Sequence, residues 1–538
     1  MSVFIGYPSF MAYQMMKGKK GNNDGFPSIP GMIARYSALG LTNEEMSKNP
    51  VWVDKTGNGH DLQMKNFAWG GMSGVGGYGD ENYQTFYKFT LDDYAVIASP
   101  PGVEHMNFTF RVTGLQPGNK LMLTFFGTTH IDYGTWDKDG IYTVDADIVE
   151  AGKPTYFYNG YGATRGEFTI EILPLYPGFI LGDGVDDFAV TEKELNFEDT
   201  YTVYTAFIPF QGYPVRAMEM CGKDFKKDFY LYYSNTHVVY YTSGLNNYIP
   251  VRINQFHIIV CKRNKTNAVI KNLITGESKT FSVSELIDNP GVYYLWRYQR
   301  SGTSTSKTAI AGQTICNGYF STDEDDEKVL DWYKKQMPWL FPDQAWTVVG
   351  KTNEDEDRAT IANIMGNGND LVCLNLGFIE GSGYNEEGEY AGYLVTDGVD
   401  DKITSSAFEM GNDWTVIGDW ELINTGKNDN AGIVKFDSIV IYNYNPILIN
   451  IKNGRNHLIP DQNTVNAICS DGRIYSKDWE ESIYNEETES TSKNLLTIGY
   501  SGNNYTKIAF KNLAIYPTVL SKEDCIKAYN YLQTLKAK

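Results

Sequence analysis

The chain has 538 residues, with 46 basic against 66 acidic side chains for a formal charge of -20, and it is 42% hydrophobic and 14% aromatic. That composition is too apolar and too aromatic for a disordered chain, and an acid excess with no basic stripe argues against a nucleic-acid or anionic-membrane partner. Thirty-nine Tyr and 52 Gly favour strands and turns over helices, because aromatic side chains suit a pleated, half-buried surface.

In chain order, residues 1–30 read as an extended N-terminal arm, with Gly, Lys, Asn and Pro clustered at 17–31. Their charges follow the apolar run and no small-residue cleavage site comes after it, the wrong order for a secretory signal. The expectation is a protein made in a host cytoplasm and not exported. No stretch reaches the eighteen or so apolar residues of a membrane span.

Self-similarity is the strongest signal. Residues 54–74 read DKTGNGHDLQMKNFAWGGMSG and residues 363–383 read NIMGNGNDLVCLNLGFIEGSG, sharing G-N-G-x-D-L and a following Asn and Gly without a gap. A second pair, Leu181-Gly-Asp-Gly-Val-Asp-Asp187 and Val395-Thr-Asp-Gly-Val-Asp-Asp401, is trailed in each copy by an alternating strand, TYTVYTAFIPF and DWTVIGDWELI. Ser321 and Ser521 then precede helical patterns with an acidic residue three positions on, a capping-box signature. Upstream, Thr42-Asn-Glu and Thr352-Asn-Glu stand at nearly equal distances before the G-N-G motif.

Roughly 14 residues separate Gly383 from Asp397, whereas more than 100 separate Gly74 from Asp183. A domain is therefore expected inside the first copy. The expected organisation is an arm over 1–30, a discontinuous first domain over 31–80 and 176–340, an inserted β-sandwich over 81–175 and a second domain over 346–538. Within the insert, Phe108, Phe110 and Val112 alternate, as do Leu121, Leu123 and Phe125, and Phe168, Ile170 and Ile172. Hairpins are expected about Arg263-Asn-Lys-Thr-Asn267 and between 437–442 and 447–451. Each repeat then reads as two packed antiparallel sheets closed by a short helix, since Cys525, Ala528, Tyr529 and Leu532 share one helical face.

This order, with D-G-V-D-D near the start and Leu-Ala-Ile-Tyr-Pro through Leu-Ser-Lys-Glu-Asp524 at the end, resembles the laminin-G-like, concanavalin A-like jelly-roll family. The fuller pattern, T-N-E-D-E-D-R (Thr352 to Arg358) followed by G-N-G-N-D-L and D-G-V-D-D, is similar to repeated domains in virion proteins of crAss-like tailed phages of gut Bacteroidetes. Copy one departs from it, with Glu-Met-Ser-Lys in place of the acidic run. The resemblance implies an all-β chain of two jelly-roll sandwiches plus the inserted β-sandwich.

A retaining glycosidase needs two carboxylates about 5 Å apart, which one strand supplies as E-x-D-x-x-E or E-x-D-x-E, and no strand carries that pattern. Glu354 to Asp357 and Asp323 to Glu327 read as a solvated loop and a helix start. Asp183, Asp186 and Asp187, with Asp397, Asp400 and Asp401, fit the ligand set of a Ca2+ ion and fit, with more weight, an Asx turn entering a strand. Asp54-Lys-Thr-Gly-Asn-Gly59 begins like an EF-hand loop but has Lys65 at its twelfth position, and Gly350-Lys-Thr lacks the earlier glycine of a phosphate loop. Six Cys without C-x-x-C read as buried thiols, and six His show no ligand spacing. The runs Phe229 to Tyr233, Tyr240-Tyr241 and Tyr293 to Tyr298 offer rings for sugar stacking, with Tyr233, Tyr241 and Trp296 the candidate glycan contacts.

The leading expectation is a non-enzymatic structural component of a phage virion, an appendage, fibre or decoration protein, homo-oligomeric and in contact with other virion proteins or a host surface glycan. The alternatives are a secreted or surface lectin of a gut bacterium and a depolymerising glycosidase.

Overall fold

The computed structural model describes residues 24–78, 87–89, 94–97, 105–126, 130–147, 155–160, 168–195, 197–210, 215–222, 229–242, 245–284, 291–298, 304–423, 432–436, 439–442, 447–451, 455–459, 465–483, 495–501 and 504–537. The arm expected at 1–30 lies outside them up to residue 23, as do residues 79–86 at the expected entry to the insert, and the Cys221, His105, His130 and His457 side chains. The described chain is all-β apart from short helices, in several antiparallel sheets.

It divides into two compact units, one running up to Gly77 and from Pro177 to Lys335, the other covering Tyr78–Tyr176 and Gln336–Lys538. In the first unit, one sheet orders its strands Ser278–Ser282, Asn267–Asn272, His257–Arg263, Tyr201–Pro209, Lys307–Asn317, Ile180–Asp183 and Gly74–Val75, with Met32–Ser37 also paired to Lys307–Asn317. The facing sheet orders Leu245–Pro250, His237–Thr242, Phe229–Tyr233, Val215–Gly222, Gly291–Leu295, Phe188–Thr191, Leu62–Lys65 and Val51–Trp52. One core fills the space between them, built from inward positions such as Trp52, Leu62, Ile180, Val203, Leu231, Tyr240, Leu295 and Ile310. The expected hairpin is present: His257–Arg263 pairs with Asn267–Asn272, and Asn264 Oδ1 accepts from the amides of Thr266 and Asn267 to hold the turn.

The second unit repeats this plan. Ile508–Tyr516 and Thr415–Leu422 are central to one sheet, and Leu371–Leu374, Lys402–Ser405 and Thr497–Ile498 are adjacent in the other, over a core that includes Trp346, Trp414 and Trp420. Ile439–Tyr442 pairs with Ile447–Ile451 as expected. The same unit contains the inserted segment, two four-stranded sheets around a core of its own in which Phe108, Phe110, Val112, Leu121, Leu123, Phe168, Ile170 and Ile172 are all buried. Thr109 Oγ1 donates to Asn530 Oδ1 at 2.9 Å, tying the insert to the last helix, and Lys138 pairs with Glu480.

Helix Lys522–Thr534 is capped by Ser521, whose hydroxyl accepts from Asp524 N at 3.1 Å. In the first copy the helix is Asp323–Gln336, and the cap shifts by one residue. Thr322, not Ser321, accepts from Asp325 N, and Asp325 Oδ2 accepts from Thr322 N in return. Ser321 Oγ instead donates to the buried Asp326, which also holds Lys262 and Tyr204. The Thr-Asn-Glu segments also diverge. Thr42 caps a short helix, Asn43–Lys48, while Thr352 opens a run of turns.

Candidate functional site

The two D-G-V-D-D segments occupy the same place in each repeat, where the chain leaves one sheet and enters the other. In copy one the turn joins Ile180–Asp183 to Phe188–Thr191. Gly184 takes φ +82, and a Cβ there would stand 3.1 Å from the Lys307 backbone nitrogen, so glycine is required on both counts. Asp183 Oδ1 accepts from Val185 N at 2.7 Å, an Asx turn, and Asp187 Oδ2 accepts from Asp183 N at 2.9 Å. Copy two reproduces these bonds: Asp397 Oδ1 accepts from Val399 N at 2.7 Å and Asp401 Oδ2 from Asp397 N at 2.7 Å.

The G-N-G segment, which looks like a separate motif in the sequence, packs beside this turn. Asn66 and Asn375, both in the left-handed region, donate their side-chain amides to the carbonyls of Asp186 and Asp400, each at 3.0 Å. Ser382 Oγ accepts from Gly377 N and donates to Asp401 Oδ2, each at 2.8 Å. Ser73 accepts from Ala68 N at 2.8 Å, and its hydroxyl lies near enough to Asp187 to favour that carboxylate. Nothing marked these four side chains as site residues, although Asn66/Asn375 and Ser73/Ser382 align in the repeat.

In each turn, one carboxylate oxygen from each of Asp183, Asp186 and Asp187, or of Asp397, Asp400 and Asp401, lies within 4.8 Å of the others, so the geometry permits a shared divalent cation. Burial pushes the Asp187 carboxyl up to about 6 and also raises that of Asp401. The valine at each tip is exposed, Val185 at 73% and Val399 at 72%.

The three candidate sugar-stacking residues separate. Tyr233 and Trp296 are core residues, both 0% exposed, so neither ring is a glycan contact. Tyr233 lies on the inward side of its strand with Phe229 and Leu231, and its hydroxyl bonds Lys307 O and Thr308 Oγ1. Trp296 should point outward by alternation from Tyr293, but its φ of 61 turns the indole inward, where it stacks on Trp52 and donates Nε1–H to Thr308 O at 2.8 Å.

Tyr241 does lie on the outer side. Its backbone pairs with Asn246, and the adjacent pair is Val239 with Tyr248. Half-buried Tyr232, Tyr241 and Tyr294, with Tyr248 at 52% exposure, alternate with the inward Tyr233, Tyr240 and Tyr293. Tyr232 OH donates to Asn246 Oδ1 at 3.2 Å, His237 meets Tyr248 edge-on at 4.9 Å, and Lys279 Nζ stands 4.6 Å above the Tyr248 ring. The outer side of this sheet is thus a tyrosine surface with amide and ammonium groups at its margin.

The remaining candidates are structural. Asp54 Oδ1 accepts from Arg35 N and Thr56 N, locking the G-N-G turn as Asn363 Oδ1 does through Ala345 N and Met365 N. Lys351 is buried on the carbonyls of Asp357 and Thr360. His257 is buried between Arg252 O and Asn272, and burial lowers its pKa to about 4. Cys261, Cys316, Cys373, Cys469 and Cys525 are buried thiols.

No family model matches the chain, and no curated protein matches it. Among solved structures it is similar to a native heptameric SAP-like pentraxin from Limulus polyphemus, at 10% identity over 26% of this chain and 75% of that one, with a TM-score of 0.23. It is similar to the LG1-3 region of the laminin alpha2 chain, at 11% identity over 80% and 96%, with a TM-score of 0.21. It is also similar to domain 4 of AbnA, a GH43 extracellular arabinanase from Geobacillus stearothermophilus in complex with arabinotriose, at 14% identity over 29% and 80%, with a TM-score of 0.21. The sheets themselves define the class, a multi-domain β-sandwich protein of jelly-roll-like architecture. Among the described residues, no helix is long and apolar enough to cross a membrane.

Proposed function

We propose that this chain is a non-catalytic glycan-binding protein whose first repeat holds sugar on the outer tyrosine surface of one sheet. The carrying observation is the set Tyr232, Tyr241, Tyr248 and Tyr294 on a single face, with Asn246 bonded among them. Flat rings match the apolar C–H faces of pyranoses, and neighbouring amides bond hydroxyls, a combination that favours sugar over a purely apolar ligand. Support for a non-catalytic role comes from the sequence, in which no strand carries the E-x-D-x-x-E or E-x-D-x-E acids of a retaining glycosidase. Asp419 and Glu421 lie two apart on Thr415–Leu422, but Ile417 and Ile423 stand where that pattern places a third acid, and Asp419 accepts from Tyr393 OH at 3.0 Å with Lys511 nearby.

The test is titration of the full chain with soluble bacterial polysaccharides and their oligosaccharides. Tyr241→Ala and Tyr248→Ala should each weaken binding about fivefold or more while leaving the melting temperature within a degree or so, because stacking on one ring contributes roughly 1–3 kcal/mol. Equal binding by both variants, or release of reducing ends by the wild type, would sink the reading.

The motif order T-N-E-D-E-D-R, G-N-G-N-D-L and D-G-V-D-D favours a setting on a phage virion, as two jelly rolls and an inserted sandwich in a homo-oligomeric appendage or decoration. A surface lectin of a gut bacterium is the competing setting. Mass spectrometry of purified particles against washed host cells separates the two.

A further inference from the structure

We propose that the second repeat carries a docking surface for residues 1–23 of a second copy of this chain. The surface begins on strand Leu371–Leu374, where Val372 and Leu374 alternate outward at 41% and 37% exposure. Ile379 continues it at 65% exposure, and the exposed Val399 adjoins it. Hydrogen bonds hold these loops together: Asn375 donates to Asp400 O, next to Val399, and Ile379 bridges to Ser382, whose hydroxyl donates to Asp401. Single exposed apolar residues are ordinary, so the weight rests on the difference between the repeats. At the aligned positions of the first repeat stand Gln63, Lys65 and Gly70, on a strand with the same register against its neighbour. Apolar side chains at these three positions therefore serve no need of the sandwich itself.

An acidic margin goes with the apolar patch. Glu380 follows Ile379, and Glu354, Glu356 and Asp357 lie in the Thr352–Arg358 segment, all four exposed. That segment is fixed beside the patch: Tyr384 OH donates to Arg358 O at 2.7 Å, the Arg358 guanidinium stands 5.4 Å over the Phe378 ring, and Thr360 pairs with Val372. Lys402, opposite Leu374 in the ladder, has its ammonium 5.1 Å over the Tyr500 ring. The first repeat has Met46, Ser47 and Gly71 in place of Glu356, Asp357 and Glu380, so it lacks much of this margin as well as the patch.

An apolar surface with an acidic margin suits an apolar segment that ends in cations. Residues 1–23, which lie outside the described residues, have that chemistry: eleven of the first sixteen are apolar or aromatic, Lys17, Lys19 and Lys20 follow, and the first acid is Asp24. Asp24 itself is anchored in the first unit, where its carboxylate accepts from Arg35 and its carbonyl from Trp332. The segment thus runs from the first repeat of one copy to the second repeat of the next, a head-to-tail contact. That a second copy supplies it rests on the homo-oligomeric setting proposed above, whereas the docking is independent of sugar binding.

The experiment mixes full-length chains labelled with 14N and 15N and joins amines to carboxylates with a carbodiimide, followed by peptide mass spectrometry. Crosslinks from Lys17, Lys19 or Lys20 to Glu354, Glu356 or Glu380 should join light to heavy peptides. In sedimentation, the variant carrying Val372→Gln, Leu374→Lys and Ile379→Gly should self-associate at least about tenfold more weakly than wild type, since each apolar side chain removed from a contact costs severalfold. A second variant, with Lys17→Glu, Lys19→Glu and Lys20→Glu, leaves both repeats untouched and should weaken association in the same direction. Crosslinks confined to a single isotope would put the segment on its own chain and overturn the second copy. Absence of crosslinks to these acids, or unchanged association in both variants, overturns the docking surface. A monomeric chain that still binds polysaccharide overturns this inference alone, and an assembling chain that binds none overturns only the sugar reading.

Discussion

Substituting Gly398→Ala tests the corner geometry directly, with Gly366→Ala as its control in the same repeat. Both glycines take left-handed φ, +76 and +75, so each alanine incurs the penalty of that region, about 1–2 kcal/mol, partly offset by about 0.4–1 kcal/mol from a stiffer unfolded chain. They differ in space. A Cβ at position 366 meets nothing within 4 Å, whereas one at 398 falls 2.9 Å from the Lys507 amide nitrogen and 3.2 Å from its Cβ. The crowding atom is backbone in a strand-end segment, where Ile423 N donates to Lys507 O, and it cannot rotate away. Overpacking of this kind adds roughly 1–3 kcal/mol. Gly366→Ala should therefore lower stability by about 1 kcal/mol and Gly398→Ala by about 2–4 kcal/mol. Because the chain holds several cores, the assay is urea-dependent hydrogen exchange read by mass spectrometry on peptides covering Thr415–Leu422 and Ile508–Tyr516, not a single global melt. If the two variants agree within about 0.5 kcal/mol, the close approach of the corner to Lys507 is wrong.

Three further outcomes follow from individual sites. Gly182→Thr alone should destabilise the first repeat, because its Cβ would stand 2.5 Å from the Trp296 indole, and Trp296→Gly alone should cost about 3–5 kcal/mol in lost burial. The double variant installs the Thr and Gly found at 396 and 499, and chemical denaturation should show it more stable than Trp296→Gly, a favourable coupling of about 0.5–3 kcal/mol; additive losses would deny the structural equivalence of the pairs. His257, with a folded pKa near 4 against about 6.5 unfolded, contributes stability that is complete above pH 6.5 and lost as pH falls towards 4. Its imidazole should stay neutral at pH 5.5 by NMR, whereas titration near 6.5 would mean that the ring is not sealed between Arg252 and Asn272. Lys262→Met should cost about 1.5–3 kcal/mol by removing the 2.7 Å partner of buried Asp326, which keeps Lys271 at 3.4 Å, and adding Asp326→Asn should recover part of it in the same unfolding assay.

Much of the architecture was legible because side-chain alternation is set by local backbone geometry. The insert shows this: Phe108, Phe110 and Val112, and Phe168, Ile170 and Ile172, all face the core as their period of two requires. The same rule placed Tyr241 outward. It failed at Trp296, where one left-handed residue after a regular strand reverses the direction of the side chain, a change that only glycine would have announced. The helix cap moved from Ser321 to Thr322 because the buried Asp326 draws the Ser321 hydroxyl away.

What the sequence determined by itself was the composition of each part: a duplicated motif set, a long interruption in the first copy, strands with one apolar face, and an Asx turn forced by D-G-V-D-D. What tertiary structure alone decided was which parts meet. Asn66 and Ser73 reach the turn at 183–187 from more than a hundred residues away, and the insert, although it interrupts the first repeat, shares a compact unit with the second, where Thr109 bonds Asn530. Local pattern fixes which face of a strand is buried, because that depends on a period of two. The partner of a loop depends on sheet order, which is set by the packing of whole faces and leaves no mark on neighbouring residues.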